Sequence, residues 1–155
     1  MKSRKAQNNS ARPLASQLVQ QLIDEARLAQ KKSHSPYSGF KIGAAVLTDQ
    51  GDIYSGANVE NSSYGATVCA ERVAIWSAVT DSLSKSKSKK NFLDVICVVS
   101  PSKEAWPPCG MCRQVISEFA HADTIVLTQG LNGKVKSYKF SELFPESFGA
   151  EFLKP

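Results

Sequence analysis

Three thiols and one carboxylate carry the chemistry that this chain of 155 residues displays most openly. Cys69-Ala70-Glu71 stands near the middle, and 36 residues separate Glu71 from Pro108-Cys109-Gly110-Met111-Cys112. Three thiolates can hold one zinc ion and leave its fourth position open, which separates a catalytic zinc from a structural one closed by four protein ligands. A carboxylate two residues from the first thiol can then exchange protons with a water that the ion activates. Cys109 and Cys112 are three apart, so the first turn of one helix brings both sulfurs to one ion, and Cys69 arrives from another helix. Both groups fall where helices are expected to begin. The partial positive charge and free N–H groups of a helix N-terminus favour the thiolate, which is the form that binds metal. A Cys₃ zinc carries formal charge −1, and Arg72 is placed to donate hydrogen bonds to the thiolates and offset part of it.

Other readings compete. A closed Cys₄ zinc would recruit Cys97, but Cys97 lies within Val95-Ile96-Cys97-Val98-Val99, where a small apolar core residue fits. Trp106-Pro107-Pro108-Cys109-Gly110-Met111-Cys112 also looks like a thioredoxin-type redox pair, a reading that leaves Cys69 and Glu71 without a role. Two disulfides are disfavoured because no secretory signal precedes the four cysteines. His34 sits in a turn-forming segment and His121 follows a helix, so both read as surface or capping residues. A non-enzymatic zinc module remains a further alternative and predicts a fourth protein ligand.

The elements that must position these groups follow from periodicity. Leu14, Leu18, Leu22, Ile23, Ala26 and Ala29 give an amphipathic helix to about Lys31. Ser35-Pro36-Tyr37-Ser38-Gly39 breaks it. Strands are expected over 40–47 and 53–59, joined by Asp49-Gln50-Gly51-Asp52. A helix opens around Cys69 and carries Val73 to Val79. Residues 92–99 form a nearly all-apolar strand, a pattern that implies burial on both faces. A helix over 110–119, a strand over 124–128 and an edge strand over 135–140 complete an α/β chain: a five-stranded mixed sheet with helices on its faces. Length supports one domain over 14–155, behind a basic tail, 1–13, expected to be disordered.

Lysine and arginine number 19 against 14 acidic residues, for a net charge of +5. Lys2, Arg4, Lys5 and Arg12 in the tail and Lys85, Lys87, Lys89 and Lys90 in a Ser-Lys run exceed that whole excess. Neither stretch interleaves basic residues with the aromatics that single-strand binding uses, so no nucleic-acid partner is expected. No apolar run approaches the ~20 residues that span a bilayer, and a reducing, cytoplasmic compartment is expected.

With the metal motif in place, further segments align. Tyr37-Ser38-Gly39-Phe40-Lys41-Ile42-Gly43-Ala44-Ala45, Gly56-Ala57-Asn58-Val59-Glu60-Asn61-Ser62-Ser63-Tyr64, Cys69-Ala70-Glu71-Arg72 and Pro108-Cys109-Gly110-Met111-Cys112-Arg113-Gln114 together closely resemble the small homotetrameric cytidine deaminases. The resemblance runs from about Leu14 to Leu153. It implies a three-layer α/β/α sandwich, one zinc ion per subunit, and hydrolysis of cytidine and deoxycytidine to uridine and deoxyuridine with loss of ammonia, a reaction of pyrimidine salvage. Carried over, it makes Cys69, Cys109 and Cys112 the zinc ligands and Glu71 the proton shuttle. The same resemblance implies that Phe40 packs on the pyrimidine and that Asn58 and Glu60 hold the ribose hydroxyls, within a substrate loop that includes Asn61, Ser62 and Tyr64. It also implies that the Ala70 N–H meets the base carbonyl and that Ser62, Tyr64 and Phe148 reach a neighbouring subunit's site. Trp106-Pro107 departs from the family, which more often has a small polar residue there. Rival readings are a deaminase of another aminopyrimidine, such as a blasticidin-type antibiotic or a modified cytosine nucleoside, and a DNA- or RNA-editing deaminase.

Overall fold

The computed structural model describes residues 14–82 and 91–153. Among these, helix α1 (Ser16–Gln30) is followed by strands β1 (Gly43–Thr48) and β2 (Ile53–Ala57), helix α2 (Ala70–Ser82) and strand β3 (Leu93–Val99). Helix α3 (Gly110–Phe119), strands β4 (Ala120–Gln129) and β5 (Val135–Lys139) and the short α4 (Phe140–Leu143) complete the order. The expected basic tail and most of the Ser-Lys run lie outside the described residues. The five strands form one sheet in the order β2-β1-β3-β4-β5, in which only β3 and β4 run parallel. That parallel pair needs a crossover, and α3 supplies it.

Alternation along the central strands sends side chains to two separate cores. Ala44, Val46, Ile96, Val98 and Val126 face α2 and α3, packing with Ala70, Ala74, Ile75, Ala78 and Ile116. Ala45, Leu47, Val95, Cys97, Val99 and Leu127 face α1, packing with Leu22, Ile23 and Ala26. Helices therefore cover both faces of a mixed sheet, giving the three layers expected. Two glycines allow the helices to come this close. A Cβ on Gly56 of β2 would stand 2.6 Å from the backbone nitrogen of Ala74 in α2, and one on Gly43 of β1 would stand 2.0 Å from the carbonyl oxygen of Ala26 in α1.

The register decides where a site can form. Gly43 pairs with both Ala57 and Val99, and Val99 with Gln129. The start of β1 and the ends of β2, β3 and β4 thus share one edge of the layers. The segments entering β1 and leaving β2 and β3 emerge together there, the end at which open α/β sheets commonly bind ligands.

Element limits differ from expectation in three places. Phe40, expected to begin a strand, lies in a loop, because Gly39 at φ 73° and hydrogen bonds to residues 38–42 hold that backbone out of the sheet. β2 ends at Ala57, two residues early, because Asn58 turns its side chain onto the 40–42 backbone. β4 begins at Ala120, directly from α3, because Ala120 pairs with Leu93 and leaves no intervening loop.

Candidate active site

Cys69 immediately precedes α2, Cys109 is the N-cap residue of α3, and Cys112 lies in the first turn of α3. The three Sγ atoms lie within 4.8 Å of one another, with Cys69 and Cys109 3.8 Å apart. Three sulfurs placed tetrahedrally about a zinc ion at ~2.3 Å stand about 3.8 Å from each other, so the cluster fits that ion. Among the described residues the cluster has three members. Cys97 packs against α1 on the opposite face of the sheet, buried in the strand, with its thiol pushed up to about 12 by that burial. A closed Cys₄ site is therefore ruled out by the sheet itself, and all four cysteines are free thiols. His34 and His121 also stay apart from the cluster: the His34 backbone bridges to Val59, and the His121 ring meets Asp94 at 2.9 Å.

The sulfurs share protons unequally. A hydrogen bond from Cys112, followed by the guanidinium of Arg72 and the Cys109 thiol, draws Cys69 down to about 5 against the opposing effect of burial. The same hydrogen bond to Cys69 and burial raise Cys112. A coordinated divalent cation overrides this balance and deprotonates its thiols outright. Arg72 places Nη2 3.7 Å from Cys69 Sγ and 2.9 Å from the carbonyl oxygen of Thr67, and its guanidinium lies 5.9 Å from the centre of the Trp76 ring.

Glu71, in the first turn of α2, is buried with only 4% of its surface exposed. Loss of hydration pushes its carboxyl up to about 7, the thiolate of Cys69 adds to the rise, and hydrogen bonds and Arg72 oppose it. A carboxyl that titrates near neutrality can take a proton and give it back in one cycle.

The residues expected to form the substrate loop converge on the same edge. Paired backbone hydrogen bonds of 2.9 Å between Val59 and Val68 tie the segment after β2 to the residue preceding Cys69. Asn58, expected to hold a ribose hydroxyl, is buried. Its Oδ1 accepts from Ser33 Oγ at 2.6 Å and from the Ile42 N–H at 2.8 Å, while its Nδ2 donates to the Phe40 carbonyl at 2.8 Å. Glu60 accepts from the backbone N–H groups of Tyr37 and Ser38, at 2.9 and 3.2 Å, and from the Ser38 hydroxyl. The Ser38 hydroxyl, followed by the two N–H groups, holds its carboxyl below its ordinary value against the opposing effect of desolvation. Asn58 and Glu60 thus do point to one side, at the segment bearing Phe40. A cavity of about 350 Å³ is lined by Tyr37, Ser38, Glu60, Tyr64 and Thr67.

Asn61 accepts from the Ser63 N–H, which shapes the exposed turn carrying Ser62 and Tyr64. Tyr64 meets Tyr37 edge-on at 5.9 Å and is otherwise three-quarters exposed. Ala70 is fully buried at the start of α2. Phe148 lies beyond α4, its carbonyl bonded by Gln114 Nε2 at 2.8 Å and its ring stacked on Phe152 at 5.6 Å. Sequence reasoning missed Ser33 and Ser38, which organise Asn58 and Glu60. It also missed Arg113, which donates to the carbonyls of Pro108 at 2.9 Å and Leu143 at 2.7 Å and so braces the ligand loop. Their positions next to the turn and the Cys-x-x-Cys were the available signals.

A family model described as the cytidine and deoxycytidylate deaminase zinc-binding region matches residues 16–129. A cytidine deaminase from Halalkalibacterium halodurans is 43% identical over 85% of this chain and 95% of its own. A blasticidin-S deaminase from Bacillus cereus is 36% identical over 83% and 92%. The crystal structure of cytidine deaminase from Burkholderia pseudomallei superposes with a TM-score of 0.76 at 36% identity, covering 83% of this chain and 98% of its own. The matched region and the three-sulfur geometry agree on zinc as the metal.

Proposed function

Because the chain belongs to the cytidine and deoxycytidylate deaminase zinc-binding family, we propose that it hydrolyses cytidine and 2′-deoxycytidine to uridine and 2′-deoxyuridine with release of ammonia. The observation that carries this reading is a buried carboxyl, Glu71, beside a metal cluster of three sulfurs. Three ligands leave room for a reacting water, and a nearby acid–base group makes that room useful.

Cys69, Cys109 and Cys112 would hold the zinc ion, which would supply a Lewis acid that lowers the pKa of a water and so eases its deprotonation. Glu71 accepts a proton from that water and passes it to N3, which makes C4 electrophilic. After oxygen has added to C4, Glu71 takes the hydroxyl proton and delivers it to the 4-amino group. The C4–N bond then breaks, ammonia leaves, and the uracil carbonyl remains. Arg72 and two helix N-termini offset the charge of three thiolates.

Sugar recognition follows from what Asn58 and Glu60 have left. Asn58 Nδ2 carries two protons and commits one to Phe40, so a second is free for a ribose oxygen. Glu60 accepts three hydrogen bonds, and a carboxylate has about four acceptor positions, so one remains for a ribose hydroxyl. Phe40, half exposed, offers its ring to the base, and the Ala70 N–H meets the base carbonyl. Tyr64, Phe148 and Phe152 are large and exposed. These residues, with Asn61 and Ser62, support a homotetramer of about 67 kDa, four times the 16.8-kDa chain, in which Ser62, Tyr64 and Phe148 complete a neighbour's site. We place this enzyme in pyrimidine salvage in the cytoplasm. No described helix is long and apolar enough to cross a membrane.

The blasticidin-S deaminase relative makes that antibiotic the alternative substrate to test. Purified protein of measured zinc content is given cytidine, cytosine or blasticidin S, and loss of the ultraviolet band and release of ammonia are followed. Rapid loss with cytidine at one zinc per chain supports the reading. Turnover of the antibiotic alone, with cytidine untouched, overturns the substrate and leaves the family in place.

A further inference from the structure

The loop between β3 and α3 ends in Trp106-Pro107-Pro108 before the ligand Cys109, and its indole meets the Phe40 ring at 5.2 Å and 80°. The backbones of both partners are pinned. The Phe40 N–H donates to Ser38 Oγ at 3.0 Å, and its carbonyl accepts from Asn58 at 2.8 Å. On the other side, the N–H groups of Leu131 and Asn132 bond the carbonyls of Ser102 and Lys103 at 2.7 and 3.1 Å, and Gly130 packs against the same stretch with no room for a Cβ. Pro108 is fully buried, and two consecutive prolines fix φ between Trp106 and Cys109. What this leaves undetermined is the orientation of the Phe40 ring, which is 52% exposed.

We propose that Trp106 is a positioning residue for the base: its indole braces the Phe40 ring edge-to-face and couples that ring to the metal-ligand loop. The inference rests on the proposed function, in which Phe40 packs against the pyrimidine. An unbraced phenyl ring rotates about χ1 and χ2 and must be ordered when the base arrives, and the contact with Trp106 removes that requirement in advance. A perpendicular aromatic pair is the favoured geometry for two such rings, and it leaves area on Phe40 open to a flat ligand. Trp106 does not touch the proton path through Glu71, so its effect falls on binding rather than on the chemical step.

Wild-type turnover of cytidine tests the underlying function, and the Trp106 series tests this inference. In W106A the KM for cytidine and the Kd for the product uridine, measured by calorimetry, rise together by roughly three- to tenfold, the range expected for one lost aromatic pair. The kcat stays within about twofold, and zinc stays at one per chain. W106F returns both constants to within about twofold of wild type, whereas W106L, which keeps apolar bulk without a ring, does not. Unchanged KM and Kd in W106A, a loss confined to kcat, or full recovery by W106L overturns the assignment.

Discussion

The two faces of one sheet treat the same side chain in opposite ways. On the α1 face, Cys97 sits at the centre of β3 among Leu22, Ala26 and Leu127, and burial pushes its thiol up to about 12. On the α2/α3 face, Cys69 precedes a helix, touches Cys109 and Arg72, and is drawn down to about 5. Nothing in the residue type distinguishes the two. The strand centre surrounds Cys97 chiefly with apolar side chains, whereas the start of α2 sets Cys69 against the Cys112 thiol, the Arg72 guanidinium and the Cys109 thiol, which together favour its thiolate. The α1 face stabilises the fold, and the other face has surrendered some stability to keep a carboxyl buried where it can react.

The sharpest way to break that comparison is to neutralise the carboxyl. Glu71→Gln keeps the size of the side chain and removes the proton acceptor. Turnover is expected to fall by at least about 10³-fold with zinc still at one per chain, read by steady-state assay and metal analysis on the same preparation. An active variant with full zinc would sink the assignment of Glu71.

The cysteines give the next largest contrast. Cys109→Ala removes a ligand and is expected to abolish tight zinc binding and activity together. Cys97→Ala on the opposite face is expected to keep zinc and turnover, and to lower stability by about 1–2 kcal/mol for the small cavity it leaves. Zinc titration and denaturant unfolding of both variants check this, and loss of zinc from the Cys97 variant would contradict the separation of the faces.

Much of this arrangement was legible before any coordinates. Helix α3 spans Gly110–Phe119 as its pattern indicates, and the apolar run around Cys97 marks a strand buried on both faces. The three ligand cysteines converge because each group is tied to a helix start, a local feature that composition and spacing display. Other features depend on partners distant in sequence. Asn58 is buried only because Ser33, Phe40 and Ile42 surround its amide, and Phe40 leaves the strand only because Asn58 and Ser38 hold its backbone. The contact of Trp106 with Phe40 joins residues 66 apart in sequence, and no periodicity encodes it. The α/β/α layering could be anticipated, but which side chains arrive already hydrogen-bonded could not.

A matched pair of glycine variants sharpens the comparison at the level of packing. Gly43→Ala drives a methyl group into the backbone of α1, and Gly56→Ala drives one into the backbone of α2. Neither helix backbone can yield as a flexible side chain would, so each variant is expected to lose about 3 kcal/mol of stability. Only the second displaces the helix that carries Glu71 and follows Cys69. Weakened zinc affinity, measured by chelator competition, is therefore expected for Gly56→Ala and not for Gly43→Ala. Equal loss of zinc in both would mean that the metal cluster senses global stability rather than the position of α2.

The most gradual contrast is in the pH dependence, where activity and stability should run in opposite directions. Burial raises Glu71 from an ordinary 4.5 to about 7, so the folded state holds its proton over a range in which the unfolded chain has released it. This group's contribution to stability is fully present below pH 4.5 and is lost as pH rises through about 7, by up to about 3 kcal/mol. A zinc ion beside the carboxyl offsets part of that and leaves a smaller slope. Glu71 must be ionised to accept a proton, so kcat/KM should climb over the same interval, with an acid-side midpoint above 4.5 and no higher than about 7. Glu71→Gln should flatten the fall in stability between pH 5 and 8 compared with wild type, measured by thermal unfolding at fixed zinc. If the variant keeps the wild-type slope, some other buried group sets the pH dependence. An acid limb below pH 4.5 would mean that the bound ion restores Glu71 to an ordinary carboxylate.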